Sequence, residues 1–186
     1  MHFTLSDLVT DIVQNAAESG AAQVELDISE TGGGKREFRF LVRDNGRGMD
    51  QDEIRHAVDP FVTDGKKHPR RRVGLGIPFL IQTAQQSGGG WDVKSEKGRG
   101  TEIGAWFDLD NVDTPPAGDL PGMFRIILMF EGPGECVIHR TRAGLGADLD
   151  YEVRKTELAE ALGNLEDTGS LVLLDKYLRS LEEDQE

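Results

Sequence analysis

The chain is poor in cysteine, has no excess of positive charge and contains no long hydrophobic run. Its single cysteine, Cys136, excludes an internal disulfide and is compatible with a reducing cytosol. The net charge of −13 argues against non-specific binding to nucleic acid or to anionic membranes. No apolar stretch approaches membrane-spanning length, and the start of the chain lacks a signal-peptide pattern. These absences predict a soluble cytoplasmic protein that binds neither nucleic acid nor a membrane.

The composition is typical of a globular protein with one full domain and a small appendage. Of the 186 residues, 37% are hydrophobic and 30% are charged. Residues 114–122 are rich in proline and glycine, which is typical of a linker. We therefore predict a domain over residues 1–113, a linker, and a small acidic α+β module over residues 123–186.

The strongest helix signal lies near the start of the chain. Seven apolar residues between Leu5 and Ala17 follow the spacing of one buried helical face. Thr4 and Asp7 have the spacing of a capping pair. Asp11 and Asn15 are four residues apart, so they are neighbours at the lip of the apolar stripe. They either face a groove or are simply solvated polar residues of the helix.

An antiparallel hairpin is predicted next. Val24, Leu26 and Ile28 alternate with polar residues in the first strand, and residues 38–42 alternate in the second. The glycine run at residues 32–34 joins these two strands and opens no helix, so we do not interpret it as a phosphate-binding loop.

The stretch Asp44–Gly48, with the sequence Asp-Asn-Gly-Arg-Gly, follows the second strand. Its glycines, Gly46 and Gly48, give the backbone the freedom to approach a ligand closely. The Asp44 carboxylate just ahead of them can accept a hydrogen bond from an exocyclic amine, such as that of adenine. Because Asp-Asn-Gly is also an ordinary turn, this stretch becomes specific only together with others.

A basic segment precedes a second glycine-containing stretch. Five of the 21 basic residues fall within residues 66–72 and, without interleaved aromatic residues, they suit a small polyphosphate better than a nucleic acid. The sequence Gly-Leu-Gly-Ile-Pro at residues 74–78 then opens a predicted helix that runs to Gln86. Such a helix start presents free N–H groups to phosphate. No Gly-Lys-Ser/Thr follows, so a P-loop is excluded.

Two more strands complete the predicted first domain. One covers residues 91–95, and the other contains alternating apolar residues from Ile103 to Leu109. The Thr101 hydroxyl lies at the start of the second strand, where it can help to hold a ligand or its water.

The module at the C-terminal end is predicted to contain three strands followed by two helices. The predicted elements are strands at Met123–Phe130, Glu135–Arg142 and Asp148–Val153, and helices at Thr156–Leu162 and Ser170–Leu181. Cys136 and His139 do not indicate a metal site, because residues three apart on a strand face opposite ways. No motif in this module indicates its function.

Four motifs in this order resemble the GHKL superfamily, which includes gyrase, the heat-shock chaperone, histidine kinases and MutL. Residues 11–21 resemble the asparagine box, and residues 44–48 the first glycine box. Residues 59–63 with 74–77 resemble the lid region and second glycine box of histidine kinases, and residues 88–101 the last box. The resemblance covers roughly residues 4–109. It implies an α+β fold, in which a two-layer α/β sandwich has a mixed sheet covered on one face by helices.

The resemblance also implies an ATP·Mg²⁺ site. Asn15 would coordinate the Mg²⁺, Asp44 would bind the adenine amine with help from Thr101, and the basic segment would cover the phosphates. The binding residues implied in this way are Asn15, Asp44, Gly46, Gly48, Phe61, Thr63, Lys66, Lys67, Arg72, Gly74, Leu75, Gly76 and Thr101. A hard cation prefers oxygen ligands, in agreement with this arrangement.

The chain departs from the family pattern in three ways. Hydrolysing members carry a glutamate four residues before the asparagine, whereas this chain has Asp11, which is one methylene shorter. The histidine-kinase lid has a glycine where this chain has Arg72. No phosphoacceptor hairpin precedes the first helix, and none of the four histidines lies in its motif, which argues against a self-contained autophosphorylating kinase.

Three functions therefore remain open. The first is an ATP-driven conformational switch that hydrolyses ATP slowly with Asp11 as the base. The second is a kinase that phosphorylates a separate protein partner and needs no hydrolytic base. The third is a non-catalytic scaffold that senses a nucleotide or has only kept the fold.

Overall fold

The fold is built from six strands and six helices in the part of the chain described by a computed structural model, residues 4–59 and 76–183. The helices are α1 (Leu5–Glu18), α2 (Gln51–Val58), α3 (Gly76–Gln86), α4 (Leu120–Leu128), α5 (Lys155–Leu162) and α6 (Thr168–Glu182). The strands are β1 (Gln23–Thr31), β2 (Glu37–Asp44), β3 (Gly90–Glu96), β4 (Gly100–Asp108), β5 (Glu135–Ala143) and β6 (Leu149–Arg154).

All six strands form one mixed sheet in the order β3-β4-β2-β1-β5-β6. Only β1 and β5 run parallel, and the other neighbouring pairs are antiparallel. The predicted hairpin of β1 and β2 is confirmed, with Leu26 opposite Val42. The predicted α+β class with a mixed sheet is confirmed as well.

Side chains alternate between the two faces along each strand, so one face of the sheet is apolar. Helices cover this face. The covered face carries the apolar side chains. On β1, β2 and β4 these are Val24, Leu26, Ile28, Phe38, Phe40, Val42, Ile103, Ala105 and Phe107. The opposite face displays charged side chains, among them Arg43, whose guanidinium contacts the carboxylates of Asp27 and Glu102. A two-layer arrangement buries the apolar face and leaves the charged face in water.

The first helix is held by the capping pair that its sequence predicts. The Thr4 hydroxyl accepts a hydrogen bond from the Asp7 backbone N–H, and the Asp7 carboxylate accepts from the Thr4 backbone N–H. This reciprocal pair satisfies two donors at the helix start. The segment ahead of α4 also contacts this end of α1, because the Leu5 N–H donates to the Pro116 carbonyl at 2.9 Å.

The prediction of a strand over Met123–Phe130 is wrong, since this segment lies in helix α4. Asp119 caps the helix by accepting a hydrogen bond from the Gly122 N–H at 3.2 Å, and proline stands in its first turn. The buried side chains of Met123, Phe124, Ile127 and Leu128 have helical spacing. A short apolar run fits either structure, and here the capping residue ahead of it decides.

The strands on either side of residues 114–122 lie in the same sheet, since β5 pairs with β1. The other predicted elements of this region, β5, β6, α5 and α6, are present with their ends shifted by at most two residues. The division of the chain into two domains stays a prediction.

A buried arginine ties the C-terminal helix to the sheet. Arg140 on β5 has only 1% of its surface exposed and lies on the covered face. Its guanidinium contacts Glu182 at the end of α6 at 3.0 Å and Glu30 on β1 at 2.6 Å. The Tyr151 hydroxyl donates to Glu182 at 2.6 Å. These bonds satisfy the charges that burial would otherwise leave without partners.

Among the described helices, none has both the length and the hydropathy that a membrane crossing requires.

Candidate functional site

The site lies where polar residues of α1 meet the start of α3. Asp11 and Asn15 are successive residues on one face of α1, one turn apart, while the opposite face of this helix is buried. Gly76 is the first residue of α3, and a Cβ added to it would lie 3.4 Å from Asn15 Nδ2 and 3.5 Å from Asp11 Cβ. The start of α3 therefore lies directly beside Asp11 and Asn15, at a distance where a Cβ would make ordinary van der Waals contact with both.

Asp44 is the last residue of β2 and faces the helix-covered side of the sheet. It lies opposite Val24 on one neighbouring strand and opposite Thr101 on the other. Its Oδ1 atom accepts a hydrogen bond from the Gly46 backbone N–H at 2.8 Å and from the Ser19 hydroxyl at 3.1 Å. The carboxylate is thus fixed from two sides at the end of the apolar face.

Thr101 is positioned by a hydroxyl on the next strand. Ser95 on β3 lies opposite Thr101, and their hydroxyl oxygens are 2.9 Å apart. Ser95 Oγ also accepts from the Met49 backbone N–H at 2.7 Å and donates to the Gly100 carbonyl at 3.0 Å. Because the single Ser95 proton is used on Gly100, Thr101 must donate to Ser95 and keeps its lone pairs for another donor.

Close packing explains two of the glycines after β2. A Cβ on Gly46 would lie 1.8 Å from Ser19 Oγ, so a side chain there would displace the serine that holds Asp44. Gly48 has a φ of +63°, and a Cβ on it would lie 2.0 Å from the Glu96 carbonyl oxygen. Both positions therefore need glycine to keep this turn against α1 and β3.

A single cleft brings together most of the described residues that the sequence predicts for the site. The predicted residues that line it are Asp11, Asn15, Asp44, Gly48, Gly76 and Thr101. Gly46 contributes its N–H to Asp44. Apolar side chains also line the cleft: Val42 and Ile103 at the end of the sheet, and Phe79 and Ile81 on α3. Seven predicted residues lie outside the described part of the chain: Phe61, Thr63, Lys66, Lys67, Arg72, Gly74 and Leu75.

Burial raises the pKa of both cleft aspartates above the ordinary value. Burial is the largest cause for Asp11, and the nearby Asp7 carboxylate raises its pKa further. Burial is also the largest cause for Asp44, although the hydrogen bonds with Gly46, Ser19 and the Thr101 backbone act in the opposite direction. Both carboxylates are therefore better proton acceptors than an aspartate with the ordinary pKa.

Sequence reasoning missed two residues, Ser19 and Ser95, that orient the ligand-facing groups. Ser19 is the C-terminal cap of α1, so it connects the helix that carries Asn15 with the strand that carries Asp44. The role of Ser19 depends on its contact with Asp44, which lies 25 positions further along the chain. No local sequence pattern reveals such a contact. Ser95 had a weak signal, because a tight turn at Gly98 places it opposite Thr101.

Comparison with known proteins assigns the cleft to a family. A family model described as "Histidine kinase-, DNA gyrase B-, and HSP90-like ATPase" matches residues 2–111, which contain the whole described cleft and more than half of the chain. The chain belongs to this ATPase family. The GHKL resemblance of the four motifs is thereby confirmed, and residues 2–111 are a GHKL ATP-binding domain.

Relatives of this GHKL domain include proteins of different kinds. The chain is 28% identical over 135 residues to the DNA mismatch repair protein MutL of Thermus aquaticus, a match that covers 70% of this chain and 24% of the relative. It is also 28% identical over 118 residues to the signal transduction histidine-protein kinase AfsQ2 of Streptomyces coelicolor, covering 62% and 21%. These matches therefore span about a quarter or less of the length of each relative.

A solved structure shares the fold beyond the family match. The N-terminal domain of a DNA repair protein superimposes with a TM-score of 0.53 at 13% identity, covering 90% of this chain and 58% of that structure. At this identity the likeness concerns the fold alone. The coverage shows that the fold similarity extends past β4 into the region of α4 to α6.

The GHKL cleft suits a cation that is held jointly with a ligand. Among the described residues, no group of three or more histidine, cysteine, aspartate or glutamate side chains could hold a metal by itself. Asn15 and Asp11 instead offer two oxygen-bearing side chains next to the Gly76 backbone. Mg²⁺ usually takes one or two protein oxygens and completes its shell with phosphate and water, so the donor set fits this metal.

Replacing Asp44 with asparagine should make the unliganded GHKL domain more stable at neutral pH. A carboxyl whose pKa is raised by folding favours the folded state fully below its unfolded pKa, and this contribution is lost as the pH rises through the folded pKa. The asparagine oxygen can still accept from Gly46 and Ser19 but never ionises. Urea unfolding should therefore show an Asp44→Asn advantage at pH 7 that shrinks at pH 3.

The control is Asp92→Asn on β3, because the Asp92 side chain is 56% exposed. It should change the free energy of unfolding little at either pH. An Asp44→Asn effect that is the same at pH 3 and pH 7 would mean that ionisation of Asp44 does not oppose folding.

Proposed function

We propose that this protein binds ATP·Mg²⁺ in the cleft and hydrolyses it slowly, so that the nucleotide acts as a conformational switch. The observation that carries the proposal is the shared cleft, in which Asp44 and Thr101 at the sheet end face Asp11 and Asn15 on α1. The family membership supports the nucleotide, and the position of Asp11 supports hydrolysis. A cytoplasmic location and a protein partner that responds to the switch are part of the proposal.

The part of the cleft that would bind the purine combines hydrogen-bond acceptors with apolar side chains. The hydrogen bonds that Gly46 and Ser19 donate to the Asp44 carboxylate both end on Oδ1, and in the proposal Oδ2 accepts from the adenine amine. Thr101 presents lone pairs beside it, because its proton is used on Ser95. Val42 and Ile103 supply apolar surface for the base. This end therefore suits the exocyclic amine of adenine, which can donate to these acceptors.

The phosphate end is formed by α1 and the start of α3. Asn15 would hold the Mg²⁺ through its side-chain oxygen, and the metal would neutralise charge on the phosphates. The N-terminus of α3 points its backbone donors and positive dipole end at the same place. The basic residues Lys66, Lys67 and Arg72 follow α2 in the sequence, and in the proposal they supply positive charge to the phosphates.

Hydrolysis requires a base near the phosphates, and Asp11 is the candidate. It lies one helical turn before Asn15 on the same face, and its raised pKa makes it a better proton acceptor than an aspartate with the ordinary pKa. In this role the Asp11 carboxylate takes a proton from the attacking water, while Asn15 holds the metal side of the phosphates. Each residue keeps one task, since Asn15 cannot accept a proton.

The proposal is tested by titrating the full chain with ATP, with and without Mg²⁺, and then measuring phosphate release. Asp44→Ala should weaken ATP binding by about ten- to a hundredfold, because one charge-assisted hydrogen bond is worth roughly 1.5–3 kcal/mol. Asp92→Ala, on β3 of the same sheet and outside the cleft, should leave the affinity unchanged. If calorimetry detects no ATP binding by the unmodified protein, only a structural scaffold remains.

A kinase that phosphorylates a partner protein is the second candidate. The match to AfsQ2, named a signal transduction histidine-protein kinase, favours it. In this version Asp11 is not needed as a base, because a hydroxyl or imidazole of the partner accepts the phosphoryl group. Transfer of radiolabelled phosphate from ATP to a co-purifying protein, unchanged in Asp11→Asn, would favour the kinase over the hydrolase.

A further inference from the structure

An apolar groove lies far from the ATP cleft, between β6, α5 and α6. Its apolar lining comes from Val153, Leu158, Leu162, Leu173 and Tyr177. Leu173 and Tyr177 on α6 are 55% and 44% exposed, although both are large side chains that normally gain from burial. Apolar surface that remains open on a small domain is typical of an interaction site.

One wall of this groove is β6, the edge strand of the sheet. β6 is the last strand of the sheet and pairs only with β5 within the described part of the chain. Its outer edge therefore carries backbone N–H and C=O groups that no described strand satisfies. Residues 152–154 of β6 line the groove, so the edge and the apolar surface are adjacent. An extended segment is the kind of ligand that uses both features at once.

The two faces of β6 differ in chemistry. Tyr151 and Val153 share the helix-covered face with Arg140 and Ile138 of β5, to which they are paired. Asp150 and Glu152 point to the opposite, open face, where their side chains are 75% and 45% exposed and contact His139 at 2.9 Å and Arg154 at 2.7 Å. A strand added to this edge would place alternate side chains in the groove and beside these carboxylates.

The charge of this region selects among possible partners. Residues 149–183 contain nine acidic and four basic residues. Two copies that pair through β6 would bring together two regions with this excess of negative charge, and the resulting repulsion disfavours the pair. A strand with basic side chains on its open face would instead be attracted to Asp150 and Glu152. The acidic edge therefore disfavours a second copy of this chain.

We infer that the β6 edge and its groove bind an extended segment of another protein in which apolar and basic residues alternate. The apolar residues fill the groove against Leu173 and Tyr177, and the basic residues lie beside Asp150 and Glu152. Backbone hydrogen bonds to the β6 edge fix the register. This inference does not depend on the proposed function, because none of these residues lines the ATP cleft.

The test uses the full chain and a capped eight-residue peptide in which valine and lysine alternate. Titration followed by NMR should show shifts at residues 149–154 and at Leu173 and Tyr177. Hydrogen exchange should slow at alternate β6 amides, because only those facing outwards gain a partner. A peptide with glutamate in place of lysine, and one with the same residues in two blocks, should both bind at least tenfold more weakly.

Variants on one exposed helix surface provide the matched control. Leu173→Ser and Tyr177→Ser should each weaken binding about tenfold, which corresponds to the loss of an anchoring apolar contact. Val172→Ser removes an equally exposed side chain of α6 that does not line the groove, so it should have little effect. Asp44→Ala should leave peptide binding unchanged.

Three results would overturn the inference. They are no binding of the alternating peptide at millimolar concentration, equal binding of the glutamate peptide, and binding that the groove variants do not weaken. Self-association of the chain through β6, seen by ultracentrifugation and abolished by Tyr177→Ser, would show that a second copy is the partner instead.

Discussion

Replacing Asp11 with asparagine should lower ATP turnover by about 10²- to 10⁴-fold while leaving ATP affinity within a few-fold. The reason is that asparagine keeps the size and hydrogen-bonding shape of the side chain but cannot accept a proton at neutral pH. Phosphate release under saturating ATP, together with calorimetric ATP binding, separates the two quantities. In the unmodified protein, turnover should fall at acid pH as Asp11 is protonated, at a pH above the ordinary range of aspartate, because burial raises its pKa.

The matched control for Asp11 is Glu18→Gln on the same helix. Glu18 also lines the cleft, seven residues further along α1, and accepts a hydrogen bond from Gln14. The Glu18→Gln variant should retain turnover if the rate depends on the Asp11 carboxylate beside Asn15 and not on the total negative charge of the cleft. Equal losses in both variants, or unchanged phosphate release in Asp11→Asn, would remove Asp11 from the role of base.

Replacing Arg140 with alanine should destabilise the protein by about 3–5 kcal/mol. The guanidinium is 1% exposed, and the side chains of its partners Glu30 and Glu182 are only 16% and 14% exposed. Removing the arginine leaves two largely buried carboxylates without their cation, and that penalty is larger than the loss of the ion pairs themselves. The measurement is the free energy of unfolding in urea at pH 7.

Arg39 on β2 provides the comparison. Its side chain is 53% exposed, and it contacts Glu37 at 3.0 Å and lies over the Trp106 ring. Arg39→Ala should cost about 1 kcal/mol or less, because exposed ion pairs contribute little. Adding Glu30→Gln and Glu182→Gln to Arg140→Ala should recover part of the loss. If Arg140→Ala and Arg39→Ala cost the same, the buried network does not hold α6 to the sheet.

Local patterns were sufficient for most of the cleft. The alternation of β2 and the Asp-Asn-Gly-Arg-Gly stretch placed Asp44 at a strand end, and the four-residue spacing placed Asp11 beside Asn15. Both inferences depend on fixed geometry, since strands repeat every two residues and helices every 3.6. The strand prediction for residues 123–130 is wrong because the apolar residues of this segment are compatible with either period. The capping Asp119 ahead of it is the local signal that indicates a helix.

The sequence alone determined the family, the β1–β2 hairpin and the placement of Asp11, Asn15 and Asp44 at one turn of a helix and at a strand end, because each follows from spacing along one helix, strand or turn. Tertiary structure alone decided that Ser19 and Ser95 orient Asp44 and Thr101, that β5 joins β1 in parallel, and that Arg140 is buried beneath α6. Glu30 and Arg140 are 110 positions apart in the chain. Contacts of this kind depend on how whole elements pack, and no short window of sequence contains that information.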